Sequence, residues 1–175
     1  MHRAGNAGFS LIELMVTIAI LAILLAIAFP SFEGSMRSNR LATTTNELLA
    51  SVSLARSEAI KNTHGAGICA SADGLTCSND WNLGWLVWAD GGNVAANHGS
   101  FQQASDTVIR VVDAHPRLVL DVHDGASASA PVSRIGFDYR GRPVGVPTPA
   151  TFNLQPDTCP AGQELVRELT LNASG

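Results

Sequence analysis

The stretch NAGFSLIELMVTIAILAILLAIAFP, Asn6 to Pro30, decides how this chain is read. From Phe9 to Phe29 only Ser10, Glu13 and Thr17 are polar. At 1.5 Å per residue, a helix over this run is about 31 Å long, the hydrocarbon thickness of a bilayer. A carboxylate in such a helix costs about 2.5–3.5 kcal/mol at the bilayer centre and less near the end. Glu13 is therefore a functional feature that needs a partner. Two readings leave it without one. A secretory signal peptide would use the weakly basic start MHR, the apolar stretch and a small-x-small cut at Ala26-Ile27-Ala28. For that role the apolar stretch is long, and Glu13 lies inside it. A plain membrane anchor has the right length and no use for the charge.

The octapeptide G-F-S-L-I-E-L-M, Gly8 to Met15, resembles the type III signal of type IV pilins and pseudopilins. The resemblance implies that a prepilin peptidase cuts after Gly8, that the new N-terminal Phe9 is N-methylated, and that the apolar helix stays on the protein. It also supplies the missing partner. Glu13 stands four residues beyond a new ammonium group, and in a low-dielectric bundle either charge alone is costly. The resemblance implies that Glu13 of an incoming subunit can meet Phe9 of its neighbour and fix axial register. Pro30 matches the proline that such helices commonly carry. Having no N–H and crowding the carbonyl of Ala26, it is expected to kink or loosen the helix.

The whole chain has 175 residues, enough for one globular domain plus an appendage. Its net charge of −4 provides no global basic field to gather nucleic acid, so any DNA contact must come from a local patch. Beyond Pro30 the helical pattern continues to about Asn62. Leu41, Leu48, Val52, Ala55 and Ala59 form one apolar stripe on a Ser/Thr-rich helix, and THGAG ends it. The stripe is expected to pack on the C-terminal domain, making one long helix broken or bent at Pro30.

After Gly65 the signals change to strands: residues 66–72, 84–90, 107–113, 117–123, 133–139, 150–155 and 164–172, separated by DG, DGGN, HP, DGASASAP and RGRP. GWLVWAD is apolar on both faces and reads as interior to its sheet. The facing of ELVRELTLN is ambiguous. The stretches 91–106 and 124–132 read as mobile surface loops.

Three cysteines remain, Cys69, Cys77 and Cys159. In an exported domain a Cys69–Cys77 disulfide closes the turn-like loop ASADGLT; in a reducing compartment the same pair reads as two thiols. Cys159 is left odd.

LARSEAIKN, ICASADGLTCSNDWNLGWLVWAD, SRIGFDYRGRP and FNL are similar to the GspH/FimT branch of minor pilins and pseudopilins. The resemblance runs from Gly8 almost to the end. It implies an α+β fold: a long N-terminal α-helix, kinked at Pro30, packed on a C-terminal antiparallel β-rich globular domain. FimT-like members often finish with G-R-x-R, whose arginines bind DNA in some. That motif, and a cysteine that would partner Cys159, would begin where this chain stops at Gly175. A chain continuing past that point is the expectation.

Arg134, Arg140 and Arg142 could touch phosphate, but DYRGRP also reads as a solvated turn, and Asp138 dilutes its charge. His115, Asp121, His123 and Asp124 invite a metal reading that lacks a third ligand at a telling distance. Trp81, Trp85 and Trp88 read as core. No serine sits in a nucleophile elbow. Asn172-Ala173-Ser174 matches a glycosylation sequon formally.

The resulting expectation is a structural subunit and not an enzyme, with no cofactor and no metal. Residues 1–8 are leader, 9–30 membrane and filament-core helix, 31–62 its amphipathic continuation, and 63–175 the β-rich domain. The resemblance implies a single-pass protein of the bacterial inner membrane, its globular domain periplasmic, that later enters a pilus or pseudopilus. Implied partners are membrane lipid along Phe9–Phe29, prepilin peptidase, the inner-membrane assembly platform and other pilin or pseudopilin subunits, with DNA as a further candidate. The function is that of a minor type IV pilin priming or capping assembly. The alternative is the H pseudopilin of type II secretion.

Overall fold

The computed structural model describes residues 8–92, 99–125, 130–146, 149–159 and 165–175, apart from the side chains of Pro30 and Ser31. One helix, α1, runs from Leu11 to Asn62, 52 residues. It continues through Pro30 without a break. A proline removes one N–H and frees one carbonyl, and the hydrogen-bond ladder on either side is kept.

Contacts divide the chain into two units, Met1–Asn39 and Arg40–Gly175. In the first, the apolar side chains from Phe9 to Phe29 are all exposed. The helix is long and apolar enough there to cross a membrane.

In the second unit the rest of α1 supplies the apolar stripe. Leu41, Leu48, Ala55 and Ala59 are buried and Val52 is half-buried. Thr44 and Ser51 share that buried face, although their types do not announce it. Ser51 is satisfied there: its Oγ donates to the Glu47 carbonyl at 2.8 Å and accepts from Trp85 Nε1 at 3.0 Å. The helix ends at Asn62, whose Oδ1 accepts from the N–H groups of His64 and Gly65 at 2.9 and 3.0 Å. Thr63 follows in the left-handed region at φ 64°. A β-branched residue is strained there and glycine is not. Thr63→Gly is therefore expected to stabilise the domain by about 1 kcal/mol, read as a higher urea midpoint.

The strands are β1 (Ala66–Ala70), β2 (Gly84–Ala89), β3 (Thr107–Asp113), β4 (Leu118–Asp124), β5 (Arg134–Phe137), β6 (Pro143–Val144), β7 (Ala150–Pro156) and β8 (Arg167–Leu171). They form a five-stranded sheet in the order β3-β2-β1-β5-β6 and a three-stranded sheet in the order β4-β7-β8. Every pairing is antiparallel. All seven strand segments expected from the sequence are present. The two-residue β6 falls where the sequence reads as a turn, and a 3-10 turn at Trp81–Leu83 has no counterpart in the sequence pattern.

β2 is interior, as its composition implies. Trp85 and Val87 join the main core with the α1 stripe, Ile68, Ile135, Phe137 and Phe152. Leu86 and Trp88, on the other face, form a second, smaller cluster with Cys69, flanked by Phe101 and Val108. All three tryptophans are buried. On β8, Leu171 is buried and Leu169 half-buried, which settles the facing of that strand. Within the two long loops, residues 93–98 and 126–129 lie outside the described residues, as do Glu164 and leader residues 1–7.

Candidate functional site

The exposed start of α1 is organised by its own side chains. Ser10 precedes the first helical residue. Its Oγ accepts from the Glu13 N–H at 3.2 Å, and its carbonyl accepts from the Leu14 N–H at 3.2 Å. Ser10 is thus the N-cap and Glu13 the third helical residue, the S-x-x-E spacing of a capping box. A carboxylate in this first turn also faces the positive end of the helix dipole. Gly8 and Phe9 lie just before the cap, and both are exposed. Open space surrounds Gly8 where a side chain would begin. Gly8, Phe9 and Glu13 therefore come together at one accessible end, bracketing a cap that the sequence reading overlooked although its spacing was in view. Pro30 lies within the helix, apart from this end.

The sulfurs of Cys69 and Cys77 are joined, with Cα atoms 5.7 Å apart. Inside the loop they close, Asp73 Oδ1 accepts from the N–H groups of Leu75 and Thr76, both at 2.8 Å, and Oδ2 accepts from Thr76 Oγ1 at 2.8 Å. These bonds hold the Asp73 carboxyl far below the usual carboxylate range. Cys159 is a free, exposed thiol.

The turn 138–142 is organised by Asp138 rather than by its arginines. Asp138 Oδ1 accepts from the backbone N–H groups of Arg140 and Arg142 at 2.9 and 2.8 Å, and Oδ2 accepts from Arg142 Nε at 2.9 Å. Arg142 is thereby held in an ion pair with Asp138. The Arg140 guanidinium lies 5.2 Å from the Tyr139 ring centre, and Arg134 is exposed at the start of β5. Partial desolvation raises the Asp138 pKa, but the hydrogen bonds and charge of Arg142 and the Arg140 N–H outweigh it, so the net shift is downward. A folded pKa below the unfolded one means stability that is present above the ordinary aspartate value of 3.8 and lost as pH falls through the folded value. The turn is expected to stay closed at pH 4 and to open only in stronger acid, seen as Arg142 Hε exchange in an NMR titration.

The two histidines of the metal reading have other partners. His115 Nε2 lies 2.9 Å from Glu47 Oε2 and its ring stacks on Trp85, while Arg110 donates to Glu47 Oε1 at 3.1 Å. His123 contacts Asn153 Nδ2 at 2.9 Å and the Asp124 carbonyl at 3.1 Å, and Asp121 is exposed. Among the described residues, no group of three His, Cys, Asp or Glu side chains could hold a metal ion. The Glu47–Arg110–His115 cluster joins α1, β3 and the β3–β4 turn. Nothing in the sequence brings these three distant residues together.

No curated protein matches the chain. Two crystal structures of the type IV minor pilin FimU of Pseudomonas aeruginosa PAO1 resemble it. One, in space group P21, is 26% identical with a TM-score of 0.54, covering 78% of this chain and 86% of that one. The other, in space group P65, is 25% identical with a TM-score of 0.52, covering 77% and 87%. The fold is thus the pilin-like one, a long helix followed by antiparallel sheets. Residues 3–29 match the prokaryotic N-terminal methylation motif. Residues 44–175, which include every strand and the disulfide, match the family described as type II transport protein GspH, and the chain belongs to that family.

Proposed function

We propose that this protein is a minor type IV pilin, a structural subunit without catalytic chemistry. The observation that carries the reading is the capped, exposed helix start with Gly8, Phe9 and Glu13, on a chain that folds like FimU. Prepilin peptidase cuts after Gly8 and Phe9 is methylated. The run Phe9–Phe29 holds the subunit in inner-membrane lipid, with Arg40–Gly175 in the periplasm, where the Cys69–Cys77 bond forms. The assembly platform then moves the subunit into a filament, where Glu13 meets the Phe9 ammonium of its neighbour. Pro30 gives that helix a weak point. As a minor subunit it primes or caps assembly. DNA uptake is a further role, and it would fall to Arg134 and Arg140, since Arg142 is held by Asp138.

A second reading, the H pseudopilin of a type II secretion system, is favoured by the family match over residues 44–175. A deletion strain separates the two: loss of surface pili supports the first, loss of exoprotein secretion the second.

The test of the shared core is mass spectrometry of the mature N-terminus. Methylated Phe9 is expected, and a chain starting at Phe29 would overturn both readings. For DNA, gel shift at low salt should weaken for Arg134→Ala/Arg140→Ala, and absence of binding by the parent chain removes that role.

A further inference from the structure

The five-stranded sheet has two apolar faces with unequal covers. The inner face is sealed by α1 and the second sheet. On the outer face the buried hydrophobic cluster is Cys69, Leu86 and Trp88, with the partly buried Phe101 and Val108 packed against it. Its cover at the Leu86 end is the disulfide loop. Gly74, at φ 68°, lies so close to β3 that an added Cβ would sit 2.8 Å from Val111 Cγ1, and Val111 is the register partner of Leu86. The loop is tied to the sheet at its two ends, by Ser71 N–H to the Gly84 carbonyl at 3.0 Å and Ser78 N–H to the Ala70 carbonyl at 2.7 Å. Asp73 organises the loop internally and does not tie it down. Between those ends the sheet connection is the bond from buried Cys69 to Cys77, and Cys77 is exposed.

We propose that the Cys69–Cys77 disulfide is the closing bond of the outer cluster at its Leu86 end: the inner core folds without it, and the outer face closes over Leu86 only on oxidation. The chemistry is thiol–disulfide exchange. A dithiol reductant attacks the sulfur of Cys77, the exposed residue of the pair, and the S–S bond breaks. Both cysteines end as thiols, each holding one proton, and the reductant ends as a cyclic disulfide. Closure is the reverse, with a disulfide oxidant taking the two electrons. Breaking the bond returns to the strap the loop freedom that it removes, and a cluster this small cannot offset that. The inner core holds Leu48, Ala55, Trp85 and Phe152 by packing alone. The cellular consequence rests on the export proposed above: the strap stays open in a reducing cytosol and closes after export.

The test uses the full chain in detergent micelles, with and without dithiothreitol, followed by hydrogen exchange and methyl and indole NMR. Reduction is expected to speed exchange of residues 69–78 by roughly tenfold or more and to shift Leu86 and Val111, leaving Leu48, Ala55 and Trp85 in place. Cys69→Ala/Cys77→Ala should show the open pattern from the start and gain nothing from the reductant. An unchanged outer face on reduction would overturn the proposal, and so would loss of both clusters together. The assay is independent of cellular compartment, so its failure leaves the N-terminal processing result untouched.

Discussion

Replacing Glu13 with alanine is expected to leave the subunit in the membrane and to keep it out of the filament. Insertion depends on the apolar run, and alanine lengthens that run while removing its only charge. Assembly depends on the charge pair proposed between Glu13 and the Phe9 ammonium of a neighbour. Removing one member of a buried pair leaves the other uncompensated, at a cost of about 3–5 kcal/mol, more than about a hundredfold in an assembly equilibrium. Membrane fractionation should recover the variant at parental levels, while sheared filaments should contain almost none. Glu13→Gln keeps a polar side chain and loses the charge, so it should fail nearly as far. Ser10→Ala is milder, because it loses only a cap worth about 1 kcal/mol. Parental incorporation of Glu13→Ala would remove the register mechanism and leave the anchor reading standing.

Gly67→Ala, by contrast, is expected to damage the fold. Gly67 lies on β1, opposite Trp88 of β2. A Cβ there would collide with the six-membered ring of the Trp88 indole and come within 2.7 Å of the Ile135 carbonyl on β5. Both obstacles are fixed, one by the outer cluster and one by the β1–β5 ladder. A single methyl group in this packed site should cost about 3 kcal/mol, seen as a lower urea midpoint with little change in slope. Trp88→Leu in the same chain removes one of the two obstacles. The double variant should therefore be less destabilised than the two single losses added together, by about 1 kcal/mol or more. Strict additivity would show that the indole does not set the requirement for glycine.

These two residues mark what the sequence makes legible. Glu13 is conspicuous because its surroundings are uniform: one charge in an apolar run asks its own question, and Gly8 and Phe9 answer it locally. The α1 stripe and the strands are legible for the same reason, as short-range periodicity. Gly67 asks nothing in AGICASA, because its reason is an indole brought over it by strand pairing. Thr44 and Ser51 break the apolar stripe chemically but not spatially, and only the Trp85 N–H shows why Ser51 can be buried. Glu47, Arg110 and His115 meet because a helix crosses a sheet, a relation that has no fixed spacing. DYRGRP reads in the sequence as a solvated turn whose charge Asp138 dilutes, with phosphate contact as the lesser reading. The backbone of the turn aims two N–H groups at Asp138, and that geometry takes Arg142 with it.

The contact boundary between Asn39 and Arg40 has a consequence for descent. The apolar side chains from Phe9 to Phe29 are exposed and, in the proposed role, would answer to lipid and to other subunits' helices, whereas the buried side chains from Leu41 onward answer to the protein's own core. A substitution on one side need not be compensated on the other. The front segment is thus free to stay compatible with a shared machine while the rear one diverges. Recombination near this junction should yield working hybrids, which makes the border a natural seam for exchanging heads among filament subunits.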